Sequence, residues 1–156
     1  MATALSIRQP WVELILQGRK TIEVRTWNTN YRGRLLLHAS RAVDCDACNR
    51  FGLEPSGLTI GAIVGVVDLT DCRRFTYEDW QELFPAHLNL RDFRKGLIGW
   101  FLRNPRRVAP TPLPGRLGLF VVPGYDVSAT ITRFSVDLAH SGKQMEATSH
   151  LRLRSQ

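Results

Sequence analysis

The chain has 156 residues, enough for one domain with room for a tail. Hydrophobic residues make up 44 %, which excludes a disordered chain. The balance of 21 Lys plus Arg against 14 Asp plus Glu leaves a net charge of +7 and points toward a polyanionic partner. Arg outnumbers Lys by 18 to 3. That bias suits planar, bidentate contacts with phosphates and bases, although GC-rich coding gives the same bias without any such partner. No run of about 18 apolar residues occurs, so no membrane span is expected. The start of the chain does not read as a secretory signal, and a cytoplasmic location is expected.

Residues 4–8 read as a short first strand. Gln9, Pro10 and Trp11 follow, and Pro10 suits the first turn of a helix, where its missing N–H costs nothing. Trp11, Leu14 and Ile15 recur at spacings of three and four, which gives a helix over residues 10–17 one apolar face. Gly18 is placed to end it. A strand over residues 21–27 comes next. Alternation sends Thr21, Glu23, Arg25 and Trp27 to one face and the apolar pair Ile22 and Val24 to the other. Lys20 sits at the turn just before. A Lys, a Glu and an Arg gathered at a helix–strand junction can bind an anion or move a proton. The same residues can equally form a solvated ion-pair ladder on an exposed sheet face.

Residues 28–33 form a turn, and residues 34–40 a third strand. Leu35, Leu37 and Ala39 share one face; Arg34, Leu36, His38 and Ser40 share the other. His38 reads as a packed residue or as part of a site. A short helix is expected over residues 42–51. It contains Cys45 and Cys48, which have metal or redox spacing. A zinc site would also need Cys72 and a His such as His87, and no second Cys pair exists; neither a metal site nor a cofactor is expected. Residues 60–69 read as a buried strand, with Gly61 and Gly65 allowing a bend or a close approach. Thr76 caps a helix carrying Trp80, Leu83 and Phe84, which Pro85 ends or kinks. Residues 91–107 hold six bases against one acid. Within them, residues 97–102 form a strand that Asn104 and Pro105 break. Pro110, Pro112 and Pro114 make a stiff connector, and residues 116–122 the last clear strand. Beyond residue 123 an added strand over 127–136 and a frayed tail are expected. Short strands of mixed spacing with two or three short helices predict an α+β fold built on a small, closed or half-closed β-barrel.

Two blocks of this chain resemble the ASCH domain family. One is Leu5-Ser6-Ile7-Arg8-Gln9-Pro10-Trp11 followed by Gly18-Arg19-Lys20-Thr21-Ile22-Glu23-Val24-Arg25, which fits the family's G-x-K-x-x-E-x-R pattern. The other is Gly99 to Arg107 followed by Pro112 to Phe120. The resemblance spans residues 4–123, so residues 1–123 are read as the domain and 124–156 as a C-terminal extension. It implies a mixed β-barrel related to the PUA RNA-binding fold, with a cleft beside the first helix into which Lys20, Glu23 and Arg25 point. Family members bind RNA or modified nucleosides; a small bacterial branch deacetylates N4-acetylcytidine, and another member is described as a ribonuclease. The chain is more similar to the longer, endothelial-overexpressed type than to that amidohydrolase branch. The branch has a Thr nucleophile where Glu23 stands, which argues against covalent amide hydrolysis here.

The expected function is therefore binding of RNA or a nucleotide, with phosphates on the basic surface and one base in a pocket. The candidate ligand-binding residues are Arg8, Gln9, Trp11, Lys20, Glu23, Arg25, Trp27, His38, Ser40 and Trp100. Each Trp could stack on a base or simply pack in the core. The alternative is a hydrolase acting on RNA or on a nucleoside such as N4-acetylcytidine. Glu23 would then be the general base, Lys20 the electrostatic stabiliser, and Arg25 the group that holds a phosphate or orients Glu23. A third reading is a domain whose basic face meets an acidic protein.

Overall fold

The structure, a computed structural model, describes residues 1–131. Its six strands are β1 (Ala2–Gln9), β2 (Ile22–Arg25), β3 (Gly33–Val43), β4 (Ala62–Arg74), β5 (Ile98–Pro112) and β6 (Leu119–Val122). They form one mixed sheet in the order β2-β5-β4-β3-β1-β6. β1 and β3 run parallel, and every other neighbouring pair is antiparallel. The helices that close within the described residues are α1 (Trp11–Leu16), α2 (Cys45–Phe51), α3 (Tyr77–Glu82) and α4 (Phe84–His87), with a 3-10 turn at Pro55–Gly57. The fold is α+β, with more short helices than the two or three expected. None of the described helices is long and apolar enough to cross a membrane.

The expected barrel is not closed. Among the described residues no pairing joins the edge strands β2 and β6. β2 has only four residues, and just before it the Thr21 N–H donates to the Ala86 carbonyl of α4 at 2.9 Å. The edge is thus taken up by a helix rather than by another strand. The sheet nevertheless curls until Arg25 on β2 donates to the Ser6 carbonyl on β1 at 2.7 Å. A side chain, not a ladder of backbone bonds, bridges this seam.

Helix α1 lies inside the curl. Gln9 starts it by accepting the Glu13 N–H at 3.0 Å, which satisfies one of the donors a helix N-terminus leaves open. Gly18, with φ +74°, ends it. Val12, Ile15 and Leu16 pack with Leu5, Leu35, Leu37, Val67, Trp100 and Leu102 in the main core. Gly65 on β4 makes that packing possible: a Cβ there would lie 2.3 Å from Leu16 Cδ2 and 2.9 Å from the Arg106 carbonyl. On the convex face a second cluster gathers Ala4, Leu36, Ile63, Val66, Val108, Phe120 and Val127. A third, under α3 and α4, holds Ile22, Phe75, Trp80 and Leu97. The α3 start is the expected one: Thr76 accepts the Asp79 N–H while the Asp79 side chain accepts the Thr76 N–H, a reciprocal capping box.

Three local expectations fail. Asn104 and Pro105 do not break the strand, because β5 runs unbroken to Pro112. Asn104 takes φ +52°, and the β4–β5 register shifts beside it, so the pair makes a bulge. Pro110 and Pro112 sit in β5 rather than in a connector, since β2 covers only its first four residues and the later N–H groups on that side meet no strand. At the other end of the chain, residues 127–131 are helical rather than extended. Asp126 decides this by accepting the Ser128 and Ala129 N–H groups at 2.9 and 3.1 Å. The remainder of the expected strand and the expected frayed tail lie outside the described residues.

Candidate functional site

The seam between β1 and β2 opens into a cleft of about 390 Å³. Alternation along β2 aims Ile22 and Val24 at the third cluster, which leaves Glu23 and Arg25 on the inner side. Glu23 pairs in register with Trp100 of β5, which is fully buried beneath it. The turn at Gly18 brings Lys20 under the same wall. Its Nζ lies 3.4 Å from Glu23 Oε2 and donates to the carbonyl of His87 on α4. The Trp11 ring centroid is 5.2 Å away, so the ammonium also faces an indole. Burial holds the Lys20 pKa below its usual value; the Glu23 charge opposes that shift, and the Arg25 charge adds to it.

Arg25 completes the cluster. Its Nε lies 3.3 Å from Glu23 Oε1, but the N–H does not point at the oxygen, and Nε is buried without a hydrogen bond. Glu23 therefore stands between two cations whose contacts, at 3.4 and 3.3 Å, are both longer than the roughly 2.7–2.9 Å of a full charge-assisted hydrogen bond. Its side chain is 11 % exposed, and that exposed fraction faces the cleft. The Oγ of Ser40, another residue of the cleft, is a second buried polar atom without a partner among the described residues. The arrangement offers a charged acceptor in the recess, beside two donors sealed beneath its wall. It can hold a ligand that presents an amine.

His87 holds this wall together from behind. It is fully buried and stacked on Trp80, with ring centroids 4.2 Å apart. Its Nε2–H donates to the Trp80 carbonyl at 2.8 Å, and its Nδ1 accepts the Asn89 N–H at 3.0 Å. Burial pushes its pKa down, and the nearby Lys20 charge pushes it the same way. A neutral ring with both nitrogens in use is not a zinc ligand. Cys45 is exposed, while Cys48 and Cys72 are buried and all three are free; burial raises the two buried thiols.

A match to the ASCH domain family spans residues 5–112, more than half of the chain. The chain belongs to the ASCH domain family. Its curated relatives include Activating signal cointegrator 1 from Mus musculus, 34 % identical over 93 residues, and the Homo sapiens protein of that name at 33 %. Each alignment covers 52 % of this chain and 16 % of the relative, so the chain spans about a sixth of those proteins. Among solved structures, ASCH from Zymomonas mobilis superposes with a TM-score of 0.59 at 12 % identity, covering 79 % of this chain and 88 % of that one. A tyrosine-to-phenylalanine variant of that protein gives the same TM-score at 13 % identity, covering 88 % and 97 %. At these identities the superpositions establish the fold alone.

Of the ten candidate residues, Arg8, Trp11, Lys20, Glu23, Arg25, Trp27 and Ser40 line the cleft of this ASCH domain. Three do not. Gln9 is buried at the start of α1 and donates to the Thr59 carbonyl at 2.9 Å. His38 lies on the other face of the sheet, between the Ser6 hydroxyl at 3.0 Å and the Leu113 carbonyl at 2.9 Å. Trp100 is sealed in the core and donates to the Trp27 carbonyl. Parity and motif placed these three near the site, but capping, sheet face and burial take them out of it. The basic stretch over residues 91–107 also divides. Arg91 and Arg94 reach the cleft mouth, whereas Arg107 forms a bidentate pair with Glu13 beyond α1. Sequence reading missed Asp44, Trp80 and Asn89 as cleft residues. Asp44 carries one signal, an N-cap preference before residue 45 that α2 realises; its position at the cleft depends on the register shift between β1 and β3.

Proposed function

We propose that this ASCH domain binds RNA or a nucleotide by seating one base in the seam cleft. Glu23 carries the reading: it is a carboxylate held between two cations by long contacts of 3.4 and 3.3 Å, with an opening toward the cleft. Such a group accepts from an exocyclic amine such as that of cytosine. Half-buried Trp11 and Trp27 supply ring faces on the walls. Arg8, Arg91 and Arg94 at the mouth suit phosphates. A volume of about 390 Å³ is in the range of small-molecule sites. The test is titration with the four ribonucleoside monophosphates and a short single-stranded RNA. Expected is binding that favours an amine-bearing base and weakens in Glu23→Gln. Absence of binding by all of these at low salt would remove the proposal.

One observation favours a hydrolytic version of the same site. Lys20 is buried at the cleft floor with its Nζ 3.4 Å from the Glu23 carboxylate. Glu23 would then take a proton from water, and the Lys20 ammonium would stabilise the developing oxyanion. Incubating the pure protein with N4-acetylcytidine and with labelled RNA separates the two versions. Turnover that falls by about a hundredfold in Glu23→Gln supports the second; no turnover by the wild type removes it.

A further inference from the structure

The connection between α4 and β5, residues 88–97, walls the cleft on its outer side and carries cations that no carboxylate among the described residues pairs with. Arg91 and Arg94 line the mouth. Lys95 follows, and Arg74 at the end of β4 lies against the same loop, since a Cβ on Gly96 would be 4.0 Å from its Nη1. All four are exposed. None makes an ion pair with a described residue. Arg32, Arg73 and Arg107 behave differently, each pairing with a carboxylate. Asp92 is the one acid among the loop residues.

Rings accompany these charges. Trp80 lines the cleft. Phe93 on the loop lies 6.1 Å from Trp80, and Tyr77 lies 5.9 Å from Phe93. Tyr77 is 54 % exposed although it is a large apolar ring. The run Trp80, Phe93, Tyr77 therefore leads outward from the cleft along the side that bears the four cations.

Resting on the reading of the cleft as a base site, we infer that the ligand is a single strand of RNA several nucleotides long. The strand leaves the cleft over the α4–β5 loop, with its phosphates on Arg91, Arg94, Lys95 and Arg74 and a second base against Tyr77. Three physical points converge on this. A recess reached through a seam admits a base only when it is splayed out of a stack, which a single strand allows and a duplex resists. Exposed rings interleaved with cations are what single strands use, because any base can stack and each phosphate contact releases counterions. An acidic peptide would satisfy the cations but would leave the recess and the exposed ring without a role.

The experiment compares cytidine 5′-monophosphate with oligocytidylates of two, four and six residues, at several salt concentrations. Affinity should rise by about tenfold or more from one to four nucleotides. The double variant Arg74→Ala/Lys95→Ala, whose residues lie outside the cleft lining, should lose most of that gain and leave monophosphate binding unchanged. Its log–log salt slope should be shallower by about 1.4, at about 0.7 for each phosphate contact removed. Tyr77→Ala should weaken the tetranucleotide by about tenfold and the monophosphate not at all. Monophosphate binding as tight as that of the tetranucleotide would overturn this inference while leaving the base site standing. So would an unchanged slope in the double variant, or equally tight binding of an RNA duplex or of hexaglutamate. Failure of every nucleotide to bind would remove the base site itself, and the strand path with it.

Discussion

Two ion-pair clusters flank α1, and they differ in how completely they satisfy themselves. Glu13, on the helix, accepts hydrogen bonds from both Arg107 Nη groups and from the Gln17 amide, so both its oxygens are engaged. Arg107 keeps 39 % of its side chain exposed. Glu23, just past the helix, is more deeply enclosed, but its two cations stand off at 3.4 and 3.3 Å, and Arg25 Nε is left without a hydrogen bond. One cluster is closed and structural. The other spends burial on groups it leaves unfinished. Desolvating charge is costly unless hydrogen bonds compensate for it, so an incomplete buried cluster facing a cleft is the better candidate for a ligand site than a complete one on the surface.

The contrast breaks most sharply at Lys20. Lys20→Met removes the charge that balances Glu23 and leaves the His87 carbonyl without its donor. A loss of about 3 kcal/mol in unfolding free energy is expected by chemical denaturation. The pH dependence adds a sign. The folded Lys20 pKa lies below the unfolded value, so its cost is present at neutral pH and is relieved as pH rises toward about 10.4. Wild type should therefore gain stability relative to Lys20→Met as pH is raised toward that value. A flat difference would mean that Lys20 is not desolvated, and would reduce the cluster to an ordinary surface ladder.

Glu23→Gln sharpens the functional side. It keeps the size and one acceptor oxygen but removes the charge. Binding of an amine-bearing nucleotide should weaken by about 1–3 kcal/mol in a titration. Glu13→Gln should leave the same binding unchanged. Equal effects of the two changes would show that net charge, rather than the cleft, sets affinity.

The smallest effect belongs to the closed pair. Arg107→Ala or Glu13→Gln should cost about 1 kcal/mol or less at neutral pH, because Arg107 is partly solvated. The Glu13 carboxyl is held below its ordinary value, first by the hydrogen bond from Arg107. Its folded pKa lies below its unfolded one, so the stability it contributes is present above the unfolded range and is lost as pH falls through the folded pKa. The difference between wild type and Glu13→Gln should shrink toward zero below about pH 4. The closed pair thus responds to acid and the open cluster to base, and unfolding curves at three pH values distinguish them.

Much of this was legible in the residues. The α1 helix, its stop at Gly18 and the G-x-K-x-x-E-x-R stretch are local. So are the alternation that puts Glu23 and Arg25 on one face and the Thr76 cap. Backbone geometry fixes such features within a few residues, whatever the rest of the chain does. Contacts between distant segments decided the remainder. Whether the inner face of β2 meets solvent depends on α4, whose His87 carbonyl reaches Lys20 from 67 positions away. Whether the barrel closes depends on the length of β2 and on what occupies its edge. The removal of His38 and Trp100 from the site follows from the face of the sheet each occupies and from what covers it. Period-two alternation tells which residues share a face, but only packing determines what that face meets.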